Sequence, residues 1–174
     1  MNHDDMARAL EAYFDTAFAA PGHEVRELGR LSGGASRETF AFELVSPDRA
    51  DRPWPLVLQR VRAGALSASF TMEGEAALLR AAAAGGVAVA PVVAASDDAS
   101  VIGAPFIVME RLDGETIARR ILRDDTYETA RGRLVAQCAQ ALARIHEVPT
   151  DVSSHLRADD PVASLRGLLD ILGE

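Results

Sequence analysis

The stretch LSGGASRETFAFELV, residues 31–45, decides the fold. Residues 38–45 alternate apolar and polar side chains, which predicts a strand, and residues 25–31 predict another strand before the turn SGGAS. Glycines let a backbone approach a ligand closely, and successive N–H groups with two serine hydroxyls suit phosphate oxygens. The turn matches neither a Walker loop nor GxGxxG, however, and taken alone it also fits an ordinary hairpin.

Around this hairpin the sequence predicts a definite order of elements. An amphipathic helix over residues 6–18, capped by Asp4 and Asp5, precedes it. The strands and helices expected after it are strand 55–61, helix 70–84 stopped by Gly85-Gly86, strands 87–95 and 106–111, and helices 116–122, 126–146 and 162–172. This order predicts an α+β fold, a five-stranded antiparallel sheet with one inserted helix followed by the start of a helical region. We expect two parts, residues 1–112 and residues 113–174.

Composition excludes several classes of protein. The net charge is −8 and all 18 basic residues are Arg, without a basic patch, which argues against nucleic-acid binding. No apolar stretch approaches the length of a membrane span, and the N-terminus is acidic rather than a signal peptide. The single cysteine, Cys138, excludes an internal disulfide. We therefore expect a cytoplasmic protein.

Charged residues on the predicted helix and third strand are candidates for a phosphate site. Glu75 shares a helical face with apolar residues, where a carboxylate needs a partner, and Glu73 is its rival. The third strand ends with candidate cations at Arg60 and Arg62, preceded by Gln59. Solvated surface charges would give the same pattern at each of these positions.

The strand at residues 106–111 runs into the polar connector Asp113-Gly114. A buried strand that ends in this way suits a hinge whose backbone groups hydrogen-bond to an adenine ring. A simple exit from a strand into a loop is the alternative.

In combination, these segments resemble the N-terminal lobe of the aminoglycoside-phosphotransferase-like, protein-kinase-like family. The branch they resemble is related to the kinase-like domain of acyl-CoA-dehydrogenase fusion proteins. The segments that carry the resemblance are LSGGASRETFAFEL, PLVLQRVRAG, EAALLRAAAAGGVAVAPVV, APFIVMERLDGETI, LARIHEVP and SLRGLLDILGE. The resemblance implies an ATP-dependent phosphotransferase that acts on a hydroxyl of a small molecule.

The resemblance also implies roles for individual residues. It assigns Glu75 to the helix glutamate that orients the cation of the third strand, and Val57 to the apolar residue that stacks on adenine. It assigns Met109 to the back of the adenine pocket, and Glu110 and Leu112 to the backbone contacts of the hinge. The residues matching the phosphate-covering loop are Ser32, Gly33, Gly34, Ala35 and Ser36.

The chain departs from the family on the third strand. Where the family has Lys or Arg, this chain has Gln59. Strand alternation points Gln59 at the nucleotide and Arg60 away from it, unless a bulge reverses them. We expect Arg60 to be the substitute cation.

A second departure concerns the catalytic loop. The family's HGD…N pattern, which places the acceptor hydroxyl and helps hold Mg²⁺, does not occur; the chain's only Asn is Asn2. His146 begins no such motif, and we expect it to pack or cap near a helix end. We therefore predict that this chain has no catalytic or metal-binding residues, binds adenine nucleotide weakly at best and lacks activity alone. The intact family member uses ATP with Mg²⁺. Either a fragment of a longer protein or the product of a truncated gene would give such a chain, and we favour the fragment.

A non-catalytic pseudokinase or interaction module is the competing hypothesis. The start of the helical region should expose apolar side chains, through which the chain could self-associate. These side chains are Leu134, Leu142, Leu165 and Leu169.

Overall fold

The computed structural model describes residues 1–31, 37–62 and 71–149, together with Arg166, Gly167 and Leu169. The elements are α1 (His3–Ala17), β1 (Glu24–Leu31), β2 (Arg37–Val45), β3 (Trp54–Val61), α2 (Met72–Ala84), β4 (Val92–Ser96), α3 (Ala99–Ile102), β5 (Phe106–Glu110), α4 (Ala118–Arg123), a 3₁₀ turn (Asp125–Tyr127) and α5 (Glu128–His146).

The strands form one antiparallel sheet in the order β1-β2-β3-β5-β4, with α2 inserted between β3 and β4. The predicted α+β class, with a five-stranded antiparallel sheet and an inserted helix, is confirmed. Its edge strand β1 is irregular, because the pairing register with β2 shifts between Arg26 and Gly29. Glu27, inside this bulge, has a φ of 55°.

One face of the sheet packs against α1. The side chains that point to this face from β2 and β3 are apolar at every second position, as a half-buried strand requires. They meet one side of α1, formed by Met6, Leu10 and Phe14. This main core also contains Phe40, Phe42, Leu44, Leu56, Leu58, Ala94, Ile102, Phe106 and Val108.

The opposite face packs against α2, but only in part. Met72 and Ala76 of α2 bury themselves against Ile107 of β5. The main sheet contacts of α2 are with β4 and β5. The β2 and β3 part of the same face carries half-buried side chains instead. We call this uncovered area the cleft face; it is formed by Arg37, Thr39, Ala41, Val57 and Gln59.

The predicted strand at 87–95 is shorter in the structure, and β4 begins only at Val92. The end of α2 explains the difference. Gly86 has a φ of +78°, its N–H donates to the carbonyl of Ala83, and the Val87 N–H donates to that of Ala82. This is a Schellman motif, in which the Val87 N–H donates to a carbonyl of the helix end. It is therefore not available to pair with a neighbouring strand.

The short helix α3 was not predicted, and α4 begins two residues later than the predicted start at 116. α3 has only four residues, capped by the Asp98 carboxylate at its start and by Gly103 at φ +82°. A single turn is too short for hydrophobic periodicity to reveal it.

The helical region lies open to solvent. Every residue of α5 is exposed except Arg131 and Ala141, which are half-buried. The expected exposure of Leu134, Leu142 and Leu169 is confirmed. Leu165 and most of the predicted helix 162–172 lie outside the described residues. No described helix is long and apolar enough to cross a membrane.

His146 lies at a helix end as expected, since it is the last residue of α5, but it is exposed, so of the two expected roles packing is excluded. The guanidinium of its neighbour Arg144 instead connects α5 to the end of α2. Arg144 Nη1 donates to the Gly86 carbonyl at 2.8 Å.

Candidate functional site

A row of apolar side chains crosses the cleft face near the end of β5. Ala41 of β2 pairs with Val57 of β3, and Val57 pairs with Met109 of β5. Ala41, Val57 and Met109 are all half-buried. The row therefore offers an apolar surface that the described residues do not fully cover.

The next row along the strands is polar in its middle. Gln59 lies two residues from Val57, so its side chain points to the same face, and its strand partners are Thr39 and Ile107. At about 3.4 Å per strand residue, this row lies about 7 Å beyond the apolar one. The cleft face thus changes from apolar to polar within a short distance.

A charged cluster follows at the start of β2. Arg37 makes a bidentate ion pair with Glu75 of α2; Nη1 lies 2.8 Å from Oε1, and Nη2 donates to Oε2. The same Nη1 donates to Gln59 Oε1 at 3.2 Å. The hydrogen bonds that Arg37 donates to the Glu75 carboxylate raise the pKa of Arg37 above its usual value, so the guanidinium stays charged. The Arg37 and Glu75 side chains are 23% and 18% exposed, so they remain accessible to a ligand.

The first turn of α2 fixes the position of Glu75. The Thr71 hydroxyl accepts the Gly74 N–H at 3.0 Å, and the Asp97 carboxylate accepts the Met72 N–H at 2.7 Å. These two caps satisfy N–H groups that a helix start leaves without partners. Glu73, the rival to Glu75, is exposed. Of the two carboxylates, Glu75 is the one that faces the cleft.

Arg60 lies on the other face of the sheet. Its Nε donates to Glu38 at 2.8 Å, its Nη1 donates to the Ile102 carbonyl at 3.2 Å, and its guanidinium lies over the Phe40 ring. The pairing of β3 is regular from Leu56 to Arg60, so no bulge turns this side chain round. The expectation that Arg60 replaces the strand-three cation is corrected, because its guanidinium points away from Glu75.

The end of β5 leaves a backbone acceptor without its ladder partner. The Glu110 N–H donates to the Pro91 carbonyl at 2.9 Å. In an antiparallel pair of this kind, the residue opposite would return an N–H to the Glu110 carbonyl. Pro91 has no N–H, so it cannot do so.

The polar groups next to this acceptor have other hydrogen-bond partners. Trp54 Nε1 donates to the Glu110 carboxylate at 3.2 Å, and the Arg111 N–H donates to the Pro55 carbonyl at 3.0 Å. Leu112 follows as an exposed residue whose N–H makes no backbone hydrogen bond to any described residue. The Glu110 carbonyl and the Leu112 N–H are thus an acceptor and a donor two residues apart.

The expected site also included a phosphate-covering loop, and the family implies a metal ion. The loop from Ser32 to Ser36 lies outside the described residues. Within residues 1–31, 37–62 and 71–149, no group of three or more His, Cys, Asp or Glu side chains is placed to hold a metal ion. The residues described here therefore do not fit a resident metal.

Sequence reasoning missed Arg37, although a usable signal was present. Phe40 and Phe42 have to face the core, so the odd-numbered residues of β2 face the other side. Arg37 is one of them, two positions along β2 from Thr39, the partner of Gln59. The parity of β2 could therefore have placed an arginine on the same face of the sheet as Gln59, although not at a known distance from it.

Comparison with known proteins now adds the family. The model of the phosphotransferase enzyme family matches residues 27–169. The chain belongs to this phosphotransferase enzyme family. No protein of curated function matches it significantly.

A solved structure from Ralstonia eutropha JMP134, provisionally assigned as an aminoglycoside phosphotransferase, is 26% identical, with a TM-score of 0.45. The match covers 63% of this chain and 29% of that one. The chain thus spans less than a third of the length of this relative.

Proposed function

We propose that this chain binds ATP on the cleft face and is the nucleotide-binding part of a phosphotransferase that acts on a small-molecule hydroxyl. The observation that carries the proposal is the order of groups on that face. A hinge acceptor and donor come first, an apolar row next, and the charged cluster of Arg37, Gln59 and Glu75 last. The polar edge of adenine requires the hinge groups, its ring faces require the apolar row, and the phosphates require the charged cluster, in the same order along the cleft face.

Adenine would lie against Val57 and Ala41, with Met109 behind it. Its amino group would donate to the Glu110 carbonyl, which Pro91 leaves without a ladder donor. A ring nitrogen would accept from the Leu112 N–H. An apolar surface with a few directed polar groups is the usual form of a small-molecule site.

The chemistry assigned to this chain is positioning and charge neutralisation. In phosphoryl transfer these contributions account for most of the catalysis, and the base and metal ligands complete it. Enzymes of this family are kinases that use ATP, generally with Mg²⁺. The described residues contain no group of three or more His, Cys, Asp or Glu side chains placed to hold a metal, so we assign no step through the metal to them. Because the sequence has no HGD…N pattern, we expect no phosphotransferase activity from these 174 residues alone.

Calorimetric titration with ATP and with adenosine tests the proposal. The variant Ala41→Phe places a ring over the apolar row, so both ligands should bind at least about tenfold more weakly, a loss of about 1.4 kcal/mol. Ala83→Phe, on an exposed position of α2, is the matched control and should bind like wild type. Wild-type protein that binds neither ligand would refute the proposal, and so would an unchanged affinity in Ala41→Phe.

The absence of activity needs its own measurement. A coupled assay should detect no ATP turnover above the buffer rate. Turnover that disappears in Glu75→Gln would contradict this part of the proposal.

The exposed apolar side chains of α5 favour a second candidate, a non-catalytic interaction module that self-associates. Leu142 is 53% exposed and Val135 is 81% exposed, and exposed apolar patches often mark interfaces. Light scattering would then give a mass that rises with concentration and falls back to that of a monomer in Leu142→Asp. A monomer at all concentrations would exclude this candidate.

A further inference from the structure

We propose that Arg37 of β2 is the residue that binds the α- and β-phosphates, in place of a cation on β3. The inference rests on the proposed function, because it names the phosphate-binding group of the same site. It is not obtained by matching family positions, since the position that would supply the cation on β3 holds Gln59.

Glu75 finds its cation on β2 rather than on β3. A half-buried carboxylate at the edge of a cleft needs a cation, and β3 supplies none on this face. The guanidinium that pairs with Glu75 comes from the neighbouring strand. Gln59 remains at the centre of the face as an acceptor, which orients Arg37 through the 3.2 Å hydrogen bond.

Arg37 also keeps hydrogen-bond donors that its described partners do not use. A guanidinium has five N–H groups. Glu75 and Gln59 use three of those of Arg37, two on Nη1 and one on Nη2. With respect to the described partners, Nε–H and the second Nη2–H remain for a ligand. Two donors of one planar guanidinium suit the bidentate recognition of a phosphate.

Arg37 also lies at the right end of the cleft face. Arg37 is the first residue of β2 and directly follows the loop 32–36. It lies at the end of the cleft face away from Glu110, because β2 pairs Arg37 with Val61 and Ala41 with Val57. The cation therefore lies where a nucleotide with its base at the hinge extends its phosphates.

Moving the cation back to β3 is the decisive experiment. Positions 37 and 59 are diagonal neighbours on adjacent strands, about 7–8 Å apart at their Cα atoms, within the reach of an arginine side chain. Affinities for ATP, ADP and adenosine would be measured for wild type, Arg37→Gln, the double variant Arg37→Gln/Gln59→Arg, and Arg60→Gln. Arg60→Gln is the matched control, since it removes an arginine from the opposite face of the sheet.

We expect Arg37→Gln to bind ATP and ADP about tenfold more weakly, or about 1.4 kcal/mol, and adenosine within about twofold of wild type. The double variant should recover most of the loss. Arg60→Gln should keep the wild-type ratio of ATP to adenosine affinity. An unchanged ATP affinity in Arg37→Gln, with adenosine still bound, would overturn the inference and leave the proposed function standing.

Two further results would contradict the assignment to Arg37. If wild type binds no adenine nucleotide, the proposed function fails and this inference fails with it. If Arg60→Gln loses ATP selectively, Arg60 is the phosphate ligand and the assignment to Arg37 is wrong.

If Arg37→Gln does not fold, the test moves to wild-type protein. The Nε–H resonance of Arg37, assigned with the variant Arg37→Lys, should then shift on addition of ATP and not of adenosine. A resonance that ATP leaves in place would equally contradict the inference.

Discussion

Asp15, near the end of α1, holds the start of the sheet through a single carboxylate. Its Oδ1 accepts the His23 backbone N–H at 2.9 Å and lies 2.9 Å from the His23 ring Nδ1. Both hydrogen bonds lower the pKa of Asp15 below its ordinary value of 3.8, and the bond from the His23 backbone N–H has the larger effect. A carboxyl group with a lowered pKa in the folded state stabilises the protein in its ionised form.

Asp15→Asn should therefore change how stability depends on pH. The contribution of Asp15 is fully present above the unfolded pKa and is lost as pH falls through the lower, folded pKa. We expect the difference in unfolding free energy between wild type and Asp15→Asn to shrink as pH falls below the ordinary pKa of an aspartate. Urea denaturation across this range measures it, and a difference that grows in acid would contradict the assignment.

The candidate site shows what a sequence can and cannot supply for single residues. Helical periodicity and the family resemblance chose Glu75 over Glu73, and Glu75 is the carboxylate in the cleft. Alternation along β3 predicted that Gln59 and Arg60 point to opposite faces, as they do. The partner of Glu75 could not be read from β3, because it comes from a different strand, and cross-strand register appears only when the sheet is assembled.

At the scale of elements, the turn between α1 and β1 depends on one glycine. Gly22 has a φ of +101°, and a Cβ at this position would lie 3.2 Å from Pro47 Cγ. L-residues avoid such a backbone at a cost of about 1–2 kcal/mol. The turn also brings His23 to Asp15, so its geometry positions the first strand.

We expect Gly22→Ala to lower the free energy of unfolding by about 1–2 kcal/mol. Gly114→Ala is the control, because no atom lies within 4 Å of its added Cβ. It should stay within about 0.5 kcal/mol of wild type. Thermal or urea unfolding measures both variants. If Gly22→Ala and Gly114→Ala lowered the free energy of unfolding equally, the backbone at Gly22 would tolerate a side chain and the prediction would be wrong.

The elements that the sequence predicted well are those with a long apolar pattern. The α1, β2, β3, α2 and α5 predictions agree with the structure to within about two residues at most ends. Residues 87–91 were placed in a strand wrongly, because the apolar run VAVA continues past a helix end that takes the Val87 N–H. Hydrophobic periodicity shows which residues are apolar. It does not show which backbone N–H groups already donate to another carbonyl.

At the scale of the molecule, α1 is part of the main core rather than an appendage. Leu10 is fully buried and joins α1 to the side chains of β2, β3 and β5. Burying one face of the sheet thus depends on the first helix. Unfolding of the sheet and loss of α1 should occur in a single transition.

Leu10→Ala should lower the free energy of unfolding by about 2–5 kcal/mol, the usual cost of a leucine cavity in a core. Leu122→Ala makes the same chemical change at a side chain that is 64% exposed and should cost less than about 0.5 kcal/mol. Circular dichroism, which follows the helices, and fluorescence of Trp54, which lies on β3, would report both during urea unfolding. A loss of helix signal in Leu10→Ala that precedes unfolding of the sheet would show that α1 docks independently.

The irregular edge strand β1 has a consequence for assembly. A regular edge offers unpaired backbone groups to which a second chain can add a strand, and this is a common start of aggregation. In β1 the register shift and the positive φ of Glu27 interrupt that row of groups, and charged side chains flank the interruption. Those exposed charges are Glu24, Arg26, Glu27 and Arg30. Strand addition at this edge is therefore disfavoured, so the sheet resists growth into a fibril from its β1 side even at high protein concentration.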